Sequence, residues 1–148
     1  RVTRVVAGGK RFRFRATVII GNSKGKVGMG IGKSNEVVKD IQKAVSQAKK
    51  DLITVPIENG TIPHDILIKY GSAKMILLPA APGTGIIAGG AIRTVVKLAG
   101  IQNILSKALG ARNRITNAKA VILCLSRLRP RTSRAATEAP VQSPNPTA

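Results

Sequence analysis

The sequence predicts an α+β fold in two successive units, the first β-β-β-α and the second β-β-α-β-α. Three observations carry that prediction. Residues 11–20 alternate apolar and polar with period two, the mark of a strand with one covered face. Residues 37–52 repeat apolar side chains at helical spacing. Hydrophobic residues make up 43% of the chain, enough for a packed core rather than a disordered basic tail.

Residues 2–6 read as a short strand. Ala7, Gly8, Gly9 and Lys10 form a turn, where glycine takes positive φ at little cost. In the strand over 11–20, Phe12, Phe14, Ala16, Val18 and Ile20 share the face expected to be buried. Arg11, Arg13, Arg15 and Thr17 share the face expected to be exposed. Residues 21–25 make a second turn. A third strand over 26–33 sets Val27, Met29 and Ile31 on one side and Gly28, Gly30 and Gly32 on the other. An all-glycine face admits close approach of another backbone, or of RNA. A helix follows, with Ser34 as the expected N-cap and Glu36 at the positive end of the dipole. Its expected apolar stripe is Val37, Val38, Ile41, Ala44, Val45, Ala48 and Leu52, and lysines take the remaining surface. The first unit spans 1–53.

Residues 54–64 read as a connector with an Asn59-Gly60 turn. The second unit, 65–129, opens with candidate strands over 66–70 and 74–78. Residues 79–90 form a Pro/Gly-rich loop. Residues 91–99 are helical, with Ile92, Val95, Val96 and Ala99 inward and Gly100 as the C-terminal stop. A strand over 101–105 follows, then a last helix over 117–128 with Ala118, Val121, Ile122, Leu125 and Leu128 apolar. From 130 to 148 Pro, Ser, Thr and Ala dominate, the composition of a mobile tail.

The charge balance narrows the function. Lysine and arginine total 25 against 6 acidic residues, a net charge of +19 over 148 residues. A compact chain repels itself at that charge unless a polyanion neutralises it. Aromatics are only 2%, Phe12, Phe14 and Tyr70, which argues against reading single strands on a stacking platform. Recognition of an RNA backbone and shape fits better. Arg1, Arg4, Lys10, Arg11, Arg13 and Arg15 cluster on the first hairpin. Lys24, Lys26 and Lys33 lie at turns and strand ends, and Arg112, Arg114, Lys119, Arg127, Arg129, Arg131 and Arg134 crowd the end. Each alone reads as a solvated surface charge; together they can neutralise many phosphates. The sole cysteine, Cys124, sits in an apolar run and reads as a small core residue. No apolar run reaches the roughly 18 residues of a membrane span. The numbered chain begins at Arg1, without Met, and nothing there resembles a signal peptide.

Three motifs suggest chemistry and fall short of it. Gly32-Lys33-Ser34 ends like a phosphate-binding loop, but Val27 stands where the motif needs glycine, so a strand–helix corner is the better reading. Gly83-Thr84-Gly85-Ile86-Ile87-Ala88-Gly89-Gly90 contains a dinucleotide fingerprint, yet no carboxylate lies between Asp65 and Glu138 to hold a ribose or Mg²⁺. From spacing alone, that loop offers backbone N–H groups to a phosphate or docks a neighbouring protein. His64-Asp65 lacks a nucleophile to complete it and reads as a surface or hairpin pair. One histidine and one cysteine do not make a metal cluster, and no cofactor is expected.

Two long stretches resemble a known family. One runs from Gly9-Lys10-Arg11-Phe12-Arg13-Phe14-Arg15 through Gly28-Met29-Gly30-Ile31-Gly32-Lys33 to Glu36-Val37. The other is Pro79-Ala80-Ala81-Pro82-Gly83-Thr84-Gly85-Ile86-Ile87-Ala88-Gly89-Gly90-Ala91-Ile92-Arg93. Both resemble the small-subunit ribosomal protein S-five family, bacterial and organellar type, with the likeness running over 1–128. The resemblance implies a first domain similar to double-stranded-RNA-binding domains and a second α+β domain of the left-handed-crossover type. It implies binding to small-subunit ribosomal RNA near the decoding region and messenger entry path, with a contribution to translational accuracy. Ribosomal proteins S-four and S-eight are the implied neighbours, on a bacterial cytoplasmic or an organellar ribosome. The hairpin segment Val2-Thr3-Arg4 to Gly8-Gly9-Lys10 matches a loop reaching toward the subunit head. Gly83, Thr84, Gly85 and Arg93 match the S-four interface, which favours protein docking for the glycine loop on family grounds. Arg114 departs from the family, where proline commonly follows Asn113.

Two other functions compete with this one. A free RNA-binding regulator predicts a stable chain away from ribosomes. A phosphate-handling enzyme predicts ATP turnover lost on mutation in 83–90, and the carboxylate gap from 66 to 137 counts against it.

Overall fold

The computed structural model describes residues 1–130, so the tail expected over 130–148 lies, past Pro130, outside the described residues. The first sheet holds β1 (Val2–Val6), β2 (Gly9–Gly21), β3 (Lys26–Ser34) and β4 (Leu52–Thr54), in that order and antiparallel throughout. Between β3 and β4 runs α1 (Val37–Lys50). The second sheet has the order β5-β6-β8-β7, from β5 (Ile66–Tyr70), β6 (Ala73–Pro79), β7 (Ile86–Ile87) and β8 (Ile104–Ala108). In it β7 and β8 are parallel, joined through α2 (Gly90–Ala99), and α3 (Arg114–Ser126) closes the fold. No helix among the described residues is long and apolar enough to cross a membrane.

The glycine face of β3 is closed by a helix backbone. Val18 pairs with Gly30, Ile20 with Gly28 and Ala16 with Gly32, so these side chains and glycines share one face. A Cβ on Gly28 would lie 2.5 Å from the Ala48 carbonyl oxygen, and one on Gly30 or Gly32 would overlap the carbonyl of Ala44 or Asp40. Helix α1 therefore presses against the strand. That close approach corrects the expected stripe. Asp40, Ala44 and Ala48 are buried, whereas Val37, Val38, Ile41 and Leu52 are exposed at the rim. Ser34 is not the N-cap; it ends β3 opposite Phe14, and Glu36 holds the cap position without a side-chain bond. Phe12, expected in the core, is 49% exposed. β3 ends at Ser34 opposite Phe14, so Phe12 projects past the sheet with only β1 beside it, and the Arg1 guanidinium lies 4.8 Å from its ring centre.

The second unit also shifts its expected boundaries. β7 lies in the stretch expected to be loop. The strand expected over 101–105 starts at Ile104, because Ile101 donates to the Val96 carbonyl and Gln102 and Asn103 both donate to Gly60. Helix α3 starts at Arg114 rather than 117, since the Asn113 side chain caps it by accepting from the Ile115 N–H at 3.0 Å. It ends at Ser126, leaving Leu128 buried beyond it.

Helices α2 and α3 lie between the sheets: α2 meets β2, β3 and β7, and α3 meets β3, β5 and β6. One core cluster joins Val27 and Met29 of the first sheet to Val95, Val96, Val121, Leu125, Met75 and Leu77. The β2–β3 turn is bonded to the end of α2, with Ser23 N–H donating to Leu98 at 3.0 Å and Gly25 N–H to Ala99 at 2.8 Å.

Candidate nucleic-acid interface

Register gathers the arginines. Arg4 lies opposite Arg11, and Lys33 opposite Arg15, while Arg11, Arg13 and Arg15 alternate along β2. Directly opposite residues point the same way, so Arg4, Arg11, Arg13, Arg15 and Lys33 share one face. A shallow depression of about 390 Å³ on this face is lined by Val2, Thr3, Arg4, Val6, Arg11, Arg13 and Lys33, with no carboxylate. Like charges placed directly across a ladder destabilise it. None of these five has an ion-pair partner among the described residues; the Lys39–Glu36 pair, 3.2 Å, sits apart on α1. A polyanion laid on this face would relieve its internal repulsion.

The other basic residues do not all join it. Thr3 pairs with Phe12 and Val5 with Lys10, so the side chains of Thr3 and Lys10 point to the reverse side, where Arg1 covers Phe12, although Thr3 also borders the depression. Gly8 is in the hairpin turn and Gly9 opens β2 with φ 132°. Lys24 and Lys26 stand at the opposite end of β2, about 40 Å from the tip at the usual rise per residue. There the Asn22 side chain accepts from both their N–H groups, at 2.9 and 3.0 Å. Arg112 and Arg114 flank the start of α3, beside Thr17 and Ile19 of β2.

The glycine loop is held from inside. Gly83 and Gly85 both donate their N–H to the Asn103 side-chain oxygen, at 3.1 and 3.0 Å. Those two donors are therefore spent within the chain and unavailable to a phosphate. Both glycines have positive φ, 91° and 73°, with open space where a Cβ would point, so the loop is an outward bend. Thr84 lies at its tip and Arg93 is exposed on α2. Asn103 escaped sequence reasoning; a polar residue inside the apolar run Ile101–Leu105 was its only signal.

The catalytic candidates are engaged structurally. His64 Nδ1 lies 2.7 Å from the Asp65 carbonyl oxygen, and its Nε2 accepts from the Arg129 N–H at 3.2 Å. Cys124 is fully buried, and burial pushes its thiol up to about 11, with Arg127 opposing. Among the described residues, no three His, Cys, Asp or Glu side chains converge as metal ligands. The chemistry on offer is anion binding.

Comparison with known proteins gives a consistent set of relatives. The family model described as ribosomal protein S5, N-terminal domain, matches residues 1–56, and that described as ribosomal protein S5, C-terminal domain, matches residues 68–138. Small ribosomal subunit protein uS5 of Thermotoga neapolitana is 54% identical over 128 residues, covering 86% of this chain and 72% of the relative. Small ribosomal subunit protein uS5c of Pyropia yezoensis is 52% identical over 130 residues, covering 87% and 75%. That of Nostoc punctiforme is 52% identical over 130 residues, covering 87% and 74%.

Proposed function

This chain belongs to the ribosomal protein S5 family, and from that premise we propose that it is a structural constituent of a bacterial or organellar small ribosomal subunit. It binds the ribosomal RNA of that subunit and acts without catalysis. The observation that carries the RNA contact is the face of Arg4, Arg11, Arg13, Arg15 and Lys33, with like charges opposed across the ladder and no acid among them. On family grounds the proposed ribosomal-RNA contact lies near the decoding region and the messenger entry path, with the Val2–Lys10 hairpin reaching toward the subunit head, and this is the proposed route to translational accuracy. Lys24, Lys26, Arg112 and Arg114 extend the contact at the two further places where β2 leads.

Protein neighbours take the second unit. The outer face of the second sheet carries Leu67, 55% exposed, and Ile87, 53% exposed, with Ile76, Leu78 and Leu105 half-buried between them and the exposed Lys69, Lys74 and Lys107 on the same side. Exposed apolar area rimmed by polar residues marks a surface for a partner. Proteins S-four, at Gly83, Thr84, Gly85 and Arg93, and S-eight are the proposed occupants on family grounds.

The test is RNA binding as a function of salt. Changing Arg11, Arg13 and Arg15 together to Gln should weaken binding to small-subunit ribosomal RNA. It should also flatten the log–log salt slope by about 2 to 3, near 0.9 for each lost phosphate contact. An unchanged slope would remove this face from the RNA. Recovery of the chain away from small subunits in a sucrose gradient would sink the ribosomal reading as a whole.

A further inference from the structure

The first sheet has a bare edge beside α1. β4 pairs only with Lys26, Val27 and Gly28, where the chain arrives from α1. From Gly30 to Ser34, β3 therefore has no outer neighbour among the described residues. That stretch is about 17 Å long at the usual rise per residue. Its polarity follows from the bonds at its start. The Asn22 N–H donates to the Lys26 carbonyl, which faces β2, and the Val55 N–H donates to the Gly25 carbonyl, which faces the outer side. Backbone groups alternate sides along a strand, so those of Ile31 and Lys33 face outward. No described residue bonds them there.

A hollow lies on each side of this edge, and the two are chemically unlike. On the α1 side, one of about 500 Å³ runs over Ile31, Gly32 and Lys33. Its helix wall carries Lys39, Lys43 and Lys50, two glutamines and a serine, and no acid. Lys39 is paired with Glu36, but Lys43 and Lys50 have no ion-pair partner among the described residues. On the α3 side, a hollow of about 310 Å³ is walled by Met29, Ile31, Tyr70, Ile122 and Leu123. Asp51, Lys119 and Ser126 are its polar residues, and the Gln47 amide already donates to Asp51 at 2.7 Å. Ile31 borders both hollows, so they meet at the edge. A strand laid there sends alternate side chains to opposite faces. Those opposite Gly30 and Gly32 turn toward the lysines, and one opposite Ile31 turns toward the apolar hollow.

We propose that this edge docks an extended segment of a partner protein in which acidic and apolar residues alternate. The segment adds to the first sheet antiparallel to β3, in line with β4. Its backbone supplies both the acceptors and the donors that Ile31 and Lys33 need. A nucleic-acid backbone supplies phosphates, but no row of N–H groups for the two outward carbonyls and no side chain for the apolar wall. A second copy of this chain, at a net charge of +19, is repelled. The proposal is independent of the ribosomal-RNA reading, because α1 covers the opposite side of the sheet from Arg11, Arg13 and Arg15.

The test uses the full chain and a fluorescent octapeptide of alternating Glu and Val, with affinity read by anisotropy. One control is a scrambled peptide with its glutamates in a block. The other is N-methylated at its valines, whose N–H groups would face β3. The alternating peptide should bind about tenfold or more tightly than either control, which carry the same charge. Lys43→Glu with Lys50→Glu should weaken it about tenfold or more. The Arg11, Arg13 and Arg15 to Gln variant, with a similar loss of charge, should bind it as the parent does. In amide exchange followed by NMR, the Ile31 and Lys33 N–H groups should slow about tenfold or more when the peptide is added. Equal affinity for either control overturns the proposal, as does unaltered exchange at Ile31 and Lys33; the exchange decides the matter if the double variant does not fold. Loss of ribosomal-RNA binding in the double variant, with peptide binding intact, would make the groove an RNA site and sink the proposal.

Discussion

At the scale of single residues, Asp40 is where α1 departs from its own logic. It is fully buried against Gly32, and neither carboxylate oxygen has a partner. An unpaired buried polar group costs about 1–3 kcal/mol, more when charged. Its place in the first turn returns only about 0.3–1 kcal/mol through the helix dipole. Desolvation wins. Asp40→Ala should therefore raise the unfolding free energy by about 1–2 kcal/mol, helped by the better helix propensity of Ala. Urea unfolding checks it; an unchanged or lower midpoint would mean the carboxylate is paired in solution. The sequence did not disclose this burial, because an acid in the first turn of a lysine-rich helix reads as surface. Cys124 was legible, since its neighbours in the helix are all apolar and its thiol only had to be small.

At the scale of elements, the contact between β3 and α1 is the tightest in the first unit. The alternation of Gly28, Gly30 and Gly32 was readable as a strand face open to close approach. What approaches was not readable, because helix and RNA present similar demands for space. Gly30→Ala tests the answer. Its Cβ would meet the Ala44 carbonyl and the Ala48 nitrogen, both backbone atoms that cannot step aside. The helix must shift, and overpacking of this kind costs about 1–3 kcal/mol or more. A thermal or urea midpoint equal to the parent would show that α1 is not pressed against the strand. The same closeness explains the misjudged stripe: only Ala44 and Ala48 fit beneath the axis, so Val38 and Ile41 move to the rim. Segment 101–105 shows a different failure. Its apolar run was visible, but Gly60 claims the N–H groups of Gln102 and Asn103, a long-range partnership no local pattern encodes.

At the scale of the molecule, the two units are locked where the β2–β3 turn meets the end of α2. Gly100 caps α2 with φ 94°, and a Cβ there would overlap the Ser23 carbonyl. Left-handed backbone costs a non-glycine residue about 1–2 kcal/mol, and the overlap adds about 1–3 kcal/mol. Gly100→Ala should lower the unfolding free energy by about 2–4 kcal/mol and speed proteolysis in the connector 54–64. Parental stability would mean that the turn yields and the units are not joined there. The stop at Gly100 was legible as a helix end; its second duty, admitting the turn, was not. By itself the sequence determined the polyanion partner, the arginine face of β2, most strands and helices, and the family, because charge, period and motif are properties of neighbouring residues. Only the tertiary structure decided that α1 closes the glycine face and that Asn103 consumes the loop donors. Those outcomes depend on which distant surfaces fit one another, and complementarity between distant surfaces leaves no periodicity in the chain.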